Sequence, residues 1–223
     1  QRARGYRGLS QIFPKATNRV PLVLAIVGPF IGLLAIGGVW YFFSPEFTDV
    51  GYAPEQPVPY SHALHVGQLG LDCRYCHVSV EVSAVSNIPP TQTCMNCHTV
   101  IKRDSEALAP LRESLASGKP MRWVRVHNLP DYAFFNHSVH LRAGVGCVSC
   151  HGRIDQMEVV TQAKTLSMSW CLDCHRNPEA HLRPIEEITN MDWIPPRDHA
   201  AFAAQAIEAK NLRPPEDCTA CHR

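Results

Sequence analysis

Five copies of the pattern Cys-x-x-Cys-His occur in this chain of 223 residues, and together they use all ten of its cysteines. This spacing is typical of covalent c-type haem attachment, in which two thiols form thioethers to one porphyrin and the next histidine binds the iron. The motifs are Cys73/Cys76/His77, Cys94/Cys97/His98, Cys147/Cys150/His151, Cys171/Cys174/His175 and Cys218/Cys221/His222. A zinc site or a disulfide framework gives no reason for a histidine after every pair. The sequence therefore predicts five haem c groups.

An uncharged run of 23 residues, from Pro21 to Phe43, precedes the motifs. Since a bilayer core of ~30 Å needs roughly 20 apolar residues as helix, residues 21–43 are predicted to form one transmembrane helix. A cleaved signal peptide is the alternative, although its apolar region is usually shorter. The flanking basic residues all lie before the run, and they are Arg2, Arg4, Arg7, Lys15 and Arg19. The positive-inside rule then puts residues 1–20 in the cytoplasm and the chain from Ser44 onward outside it.

The predicted outer part consists of a proline-rich linker over residues 44–60, expected to be extended, and a haem domain over 61–223. So little chain per haem leaves no room for a conventional core, and the porphyrins take its place. The predicted fold class is thus one N-terminal transmembrane helix plus a haem-packed domain of short helices and loops, with little regular secondary structure. Short helices are expected near 104–117, closed by Gly118, and near 198–210, capped by Asp198.

The haem domain contains an internal duplication. Tyr60-Ser-His62-Ala-Leu-His65 before Cys73 matches Phe135-Asn-His137-Ser-Val-His140 before Cys147, and a second haem motif follows each copy. The offsets between the copies are 75, 74 and 77 residues at the first histidine, the first motif and the second motif. We therefore predict a first dihaem module at about 61–125, a second at about 126–197, and a fifth haem in 198–223.

Seven histidines outside the motifs can supply the second axial ligands. The sequence predicts His62 as the distal ligand of the haem at Cys73 and His137 as that of the haem at Cys147. His65 and His140, three residues further on, are turned enough to reach other haems. For the fifth ligand His127 is the first choice, with Met168 and His199 as rivals, and methionine would raise that haem's potential. His181 is interpreted as a solvated histidine.

Charge predicts the kind of soluble partner. All 20 acidic residues follow the apolar run, together with 16 of the 21 basic residues, so the outer part carries a net charge of −4 before haem propionates are added. A soluble electron acceptor is therefore expected to dock through a basic face. No nucleic-acid partner is expected.

Several strings resemble the pentahaem cytochrome c subunit of bacterial alternative complex III, a quinol:electron acceptor oxidoreductase. They are His62-Ala-Leu-His65-Val-Gly-Gln-Leu-Gly-Leu-Asp-Cys73-Arg-Tyr-Cys76-His77, Trp123-Val-Arg-Val-His127-Asn-Leu-Pro-Asp131, Phe135-Asn-His137-Ser-Val-His140 and Cys171-Leu-Asp-Cys174-His175-Arg-Asn-Pro178. The HxxH-plus-CxxCH pattern alone is typical of class III-like multihaem cytochromes. The resemblance extends over nearly the whole chain.

The resemblance implies a single-pass subunit of the bacterial cytoplasmic membrane, with its haem domain in the periplasm or another extracytoplasmic space. Similar complexes contain an iron–sulfur subunit, polytopic quinol-binding subunits and often a monohaem cytochrome. The expected function is electron transfer from a quinol-oxidising respiratory or photosynthetic complex to an acceptor outside, with no catalytic site in this chain. The alternatives are a stand-alone membrane-anchored multihaem quinol dehydrogenase and, less favoured, a multihaem oxyanion reductase.

Overall fold

The computed structural model describes residues 12–222 and divides into two compact units at Thr48/Asp49. In the first unit a 3-10 turn, Lys15–Arg19, leads into helix α1, Val20–Phe42, and then into the short helix α2, Pro45–Thr48. Helix α1 contains no charged residue and continues through Pro29. Its 23 residues span about 34 Å, so the helix is long and apolar enough to cross a membrane. The predicted helix 21–43 differs from α1 by one residue at each end; Arg2, Arg4 and Arg7, on which the predicted orientation partly depends, lie outside the described residues.

The second unit is made of short helices joined by irregular segments. Between residues 12 and 222 no β-strand forms, and the only bridges of that type are isolated pairs, Ala133 with His222 and Val145 with Leu182. The α-helices are α3 Cys73–Cys76, α4 Thr91–His98, α5 Ala109–Ser117, α6 His137–Ala143, α7 Val148–His151, α8 Met168–Arg176, α9 His199–Lys210 and α10 Cys218–Cys221. A π-helical segment, Ala63–Gln68, and 3-10 turns at Glu106–Leu108, Ile154–Gln156, Pro178–His181 and Ile185–Glu187 complete the set. The predicted fold class is confirmed.

Few apolar side chains are buried in the second unit. Among the described residues the buried apolar side chains are Val58, Leu111, Leu141, Leu182, Ile188, Met191 and Ala203. Leu182 and Ile188 are the largest that are fully enclosed. A unit of this size normally needs a larger apolar core, so the interior has to be completed by something other than side chains.

Both helices predicted in the outer part are present. Helix α5 ends at Gly118, whose φ of 69° is the left-handed conformation that closes a helix and favours glycine. Helix α9 begins after Asp198, but the Asp198 side chain makes no capping hydrogen bond, so that detail of the prediction is wrong. Asn211, in the left-handed conformation, ends α9.

The segment predicted to be an extended linker, residues 44–60, takes a different form. Its first residues form α2, and from Asp49 onward it is part of the second unit. Gly51 and Tyr52 exchange backbone hydrogen bonds with Gln162, at 2.8 and 3.1 Å. The Gln56 side chain both donates to and accepts from the backbone of Val124, and Val58 is 3% exposed. These bonds fix residues 49–60 to the domain instead of leaving them as a spacer.

Candidate haem sites

Each Cys-x-x-Cys-His motif lies on a short helix, as α3, α4, α7, α8 and α10 show. Residues three apart on a helix share one face, so the two thiols of each motif can bind one edge of a single macrocycle. Three of the helices are held at their start by a side chain that accepts a backbone N–H: Asp72 from Arg74, Ser167 from Trp170 and Asp217 from Ala220. Such caps favour the helical turn that the motif needs.

Three of the motif histidines are oriented by the backbone. Nδ1 of His77 donates to the Asn87 carbonyl at 2.7 Å, Nδ1 of His98 to the Ile101 carbonyl at 3.0 Å, and Nδ1 of His175 to the Pro215 carbonyl at 2.6 Å. A histidine that donates from Nδ1 keeps the lone pair on Nε2, which is the atom needed for a metal bond. The hydrogen bonds therefore prepare these rings as iron ligands.

The duplicated HxxH segments have the same local geometry. Nδ1 of His65 donates to the carbonyl four residues earlier, Ser61, at 2.8 Å, and Nδ1 of His140 does the same to Asn136 at 2.8 Å. An aromatic ring stacks on each: Tyr60 on His65 with centroids 4.5 Å apart, and Phe135 on His140 with centroids 4.6 Å apart. These two aromatic residues occupy equivalent positions of the repeat, which is the signal in the sequence that could have identified them.

The second histidine of each HxxH segment faces the second motif of its own module. The ring centroids of His65 and His98 are 6.2 Å apart, and those of His140 and His175 are 6.1 Å apart. Two imidazoles on one iron have centres about 6 Å apart, given a metal–nitrogen bond of about 2 Å on each side and about 1 Å from each nitrogen to its ring centre. Both pairs therefore fit a bis-histidine haem.

The first histidine of each segment is associated with the first motif of its module. The rings of His137 and His151 lie 6.5 Å apart and are nearly parallel, at 9°. His62 lies close enough to His77 for their charges to oppose each other; burial first, and then His77 and His65, lower the pKa of His62 to about 4. Nδ1 of His62 and Nδ1 of His151 are buried without a partner. The neutral forms are favoured by this burial, and only neutral imidazole binds iron.

The remaining candidates do not gather around the fifth motif. The ring centroids of His127 and His151 are 4.5 Å apart, which is too close for an iron between the two rings. Nε2 of His127 is buried and has no hydrogen-bond partner. Nε2 of His199 lies 2.7 Å from the Leu182 carbonyl, and Met168 is 64% exposed at the start of α8. Beside His222 stands the ring of Tyr132, at 5.8 Å, which the sequence analysis missed.

The motifs follow one another in space in an order that differs from the sequence. The thiols of Cys73 and Cys147 are within hydrogen-bonding reach of each other. Further neighbours are identified by a thiol close enough to raise the pKa of another: Cys94 raises that of Cys76, Cys171 and Cys174 raise that of Cys150, and Cys221 raises that of Cys171. Burial is the larger cause in each case. The first motifs of the two modules thus meet at the centre.

Two reciprocal backbone hydrogen bonds join the modules there. Ala63 N–H donates to the Met157 carbonyl at 3.0 Å, and Ser138 N–H donates to the Ser83 carbonyl at 3.2 Å. Ala63 and Ser138 are equivalent positions of the duplication, and so are Ser83 and Met157. Reciprocal contacts between equivalent positions are the mark of two copies related by a two-fold rotation. The duplication therefore packs as an internal pseudo-dimer.

Within residues 12–222, no three histidine, cysteine or acidic side chains are gathered as a zinc site would need them. The structure instead pairs histidines across three gaps that suit an iron, and each gap has a histidine of a Cys-x-x-Cys-His motif on one side. The residues present fit c-type haem, whose iron supplies a one-electron couple when bound.

Comparison with known proteins agrees with this geometry. Residues 133–223 match the family described as cytochrome c7 and related cytochrome c. The second half of the chain is therefore similar to cytochrome c7 and its relatives. Over 125 residues it is 34% identical to the multihaem cytochrome c subunit of menaquinone reductase from Nitratidesulfovibrio vulgaris, a stretch that is 55% of this chain and 57% of that protein. Over 111 residues it is 25% identical to the acrylate reductase cytochrome subunit of Shewanella woodyi, covering 50% of this chain and 68% of that one. The matched stretch thus spans little more than half of the first relative.

Proposed function

We propose that this chain is a membrane-anchored electron-transfer subunit that carries five covalently attached haems. The observation that carries the proposal is the set of opposed histidine pairs, with ring centroids 6.1, 6.2 and 6.5 Å apart, each including a motif histidine. An iron with two strong axial ligands exchanges electrons but offers no open position to a substrate. The same pairs make the oxyanion-reductase alternative less suitable, because that chemistry needs an open iron.

Three ring separations, and the closeness of His62 to His77, support four proposed axial pairs. His62 serves the haem of His77, His65 that of His98, His137 that of His151, and His140 that of His175. In each module the first HxxH histidine therefore serves the nearer motif and the second serves the following motif. The separation of 4.5 Å between His127 and His151 argues against His127 as a ligand of the fifth haem and favours a place for it beside the haem at Cys147.

The proposed path of electrons starts at the haem of Cys94 and runs through those of Cys73, Cys147 and Cys171 to that of Cys218, or in reverse. Its support is the neighbourhood of thiols and the reciprocal hydrogen bonds at the centre. Cys97 and Cys218, one in each terminal motif, are exposed, whereas the other eight cysteines are partly buried. We therefore propose that the haems at Cys94 and Cys218 exchange electrons with the partners.

The proposed setting is a quinone-linked membrane complex, with α1 as the anchor and the haem domain outside the cytoplasm. The resemblance to alternative complex III subunits favours quinol oxidation and a partner set of an iron–sulfur subunit, polytopic quinol-binding subunits and a monohaem cytochrome. The similarity to a menaquinone reductase subunit is a specific reason to keep quinone reduction as the second candidate. A series of haems, four of them with two histidine ligands, can carry electrons in either direction.

Haem content and spin state test the first part of the proposal. The intact mass of the purified full chain should correspond to five haems, and electron paramagnetic resonance should show low-spin iron at the four haems with histidine pairs. Strong binding of carbon monoxide to more than one reduced haem would contradict the assigned ligands.

Partners and direction need the native complex. Purification from membranes in mild detergent, followed by mass spectrometry, should recover polytopic subunits with this chain. Reduction of the haems by added quinol, blocked when those subunits are removed, would support quinol oxidation. Haem reduction by quinol in the isolated chain would favour the stand-alone dehydrogenase instead.

A further inference from the structure

The two central motifs differ in the charge beside them. Asp72 directly precedes Cys73, and Gly146 directly precedes Cys147 at the equivalent position. The Asp72 carboxylate accepts hydrogen bonds from Arg74 and Thr189. Against Gly146 lies the guanidinium of Arg183, which a Cβ on that residue would overlap. One central haem site therefore has a carboxylate next to it and the other a guanidinium.

The guanidinium of Arg183 is buried and held in place by the groups around it. Arg183 is 7% exposed, and its guanidinium lies between the backbone of Gly146 and the ring of Trp193, 4.8 Å from the ring centroid. One terminal nitrogen donates to the Asn190 carbonyl at 2.9 Å and to the Glu187 carbonyl at 3.4 Å, while Nε is buried without a partner. The Glu187 carboxylate accepts from Asn190 instead. Among the ion pairs of the described residues none includes Arg183, so its charge is uncompensated at contact distance.

Other charges near the two sites balance each other. Arg74 pairs with Asp72 and Glu81 near the first site, and Arg153 pairs with Asp155 and Asp192 near the second. Each group has one arginine and two carboxylates, and much of each is exposed, so solvent screens them. Two exposed lysines, Lys164 near Cys150 and Lys210 near Gly144, add positive charge at the second site, but solvent screens them. Arg183 is the buried charge that distinguishes the second site.

A fixed positive charge close to a haem stabilises the form with one more electron, and burial reduces the screening of that charge. We propose that Arg183 raises the reduction potential of the haem attached at Cys147 above that of the haem attached at Cys73. The inference rests on the proposed haem-binding function. Its consequence is that an electron shared by the central pair stays mainly on the second module, although the two sites are otherwise related by pseudo-symmetry.

The test is a potentiometric titration of the full chain, followed by electron paramagnetic resonance so that haems with different signals titrate separately. In R183Q the reduction potential of one haem signal should fall by about 59 mV, which corresponds to a tenfold decrease in its one-electron equilibrium constant. R183K keeps the charge and should change that constant by less than about twofold. D72N should raise a different component, by about threefold, because Asp72 is exposed and already paired with Arg74.

Three results would overturn the inference: no shift in R183Q, equal shifts in R183Q and R183K, or an effect of R183Q and D72N on the same component. If R183Q does not accumulate, G146A replaces it, because the added methyl group displaces the guanidinium from Cys147 and the same component should fall. An unchanged titration in G146A would then be equally contrary. The haem count of each variant is first measured from its intact mass. A count below five in the unsubstituted chain contradicts the proposed function. Unchanged potentials in variants that carry five haems contradict only this inference.

Discussion

The first and second modules use one design and differ in how it is supported. Both present an aromatic residue and two histidines before their first motif, with stacked rings 4.5 and 4.6 Å apart and second histidines 6.2 and 6.1 Å from their partners. The first HxxH segment lies on a π-helical turn and the second begins the α-helix α6. Ligand geometry is therefore maintained on two different backbones, while the surrounding side chains have diverged. The positions of the rings are therefore more alike in the two modules than the helices that carry them.

The largest expected effect comes from removing one distal histidine in each module. His65→Ala should open the haem of Cys94, and His140→Ala should open that of Cys171, because each substitution removes the ring opposite a motif histidine. In each variant one haem should become high-spin and bind carbon monoxide when reduced. His199→Ala is the control, since Nε2 of His199 already faces the Leu182 carbonyl. If the spectra of His65→Ala and of the unsubstituted chain were the same, His65 would not be a ligand, and the two modules would not be equivalent.

The sequence was sufficient for the parts of the fold that are set by local spacing. The apolar run predicted α1, and Gly118 marked the end of α5. The HxxH repeat also identified two segments with the same ring geometry. It could not predict the meeting of Cys73 with Cys147, nor the place of His127 beside His151, because those depend on packing between distant segments. Arg183 gave no signal at all, since its role depends on being buried against Gly146, far from it in the chain.

The next effect tests how closely the modules approach. A methyl group at Gly67, in the first module, would overlap the backbone carbonyl of Asp155, which is not free to move aside. Gly67→Ala should therefore lower the free energy of unfolding by about 1–3 kcal/mol, measured by thermal denaturation of the haem-loaded chain. Arg142 stands at the equivalent position of the second module, so the side with glycine is the tightly packed one. Arg142→Ala, the matched control, should change stability by less than about 0.5 kcal/mol.

A smaller effect is expected from the side chains that start the two HxxH segments. Asn136 accepts the backbone N–H of Ser138, and Ser61, at the equivalent position, accepts that of Leu64 at 2.9 Å. Asn136→Ala and Ser61→Ala should each cost about 1 kcal/mol of unfolding free energy, as loss of a capping acceptor does. Asn136→Asp keeps an acceptor and should be nearly neutral. A cost confined to one module would show that the other segment is held by its haem alone.

The smallest expected effect is the pH dependence contributed by Asp72, whose equivalent position in the second module is Gly146. Hydrogen bonds from Arg74, and a further one from Thr189, lower the pKa of Asp72 from 3.8 to about 2. A carboxylate with a lowered pKa stabilises the folded chain above its unfolded pKa, and that stabilisation disappears as the pH falls from about 4 to about 2. Because Asp72 is exposed, the loss should stay below about 1 kcal/mol.

Melting temperatures measured between pH 5 and pH 2 should therefore fall less steeply in Asp72→Asn than in the unsubstituted chain. Gly146, at the equivalent position in the second module, has no side chain that titrates, so Gly146→Ala should leave the slope unchanged. Identical slopes for Asp72→Asn and the unsubstituted chain would mean that the Arg74 and Thr189 bonds do not hold the carboxylate in solution. The electrostatic difference between the two central haem sites would then rest on Arg183 alone.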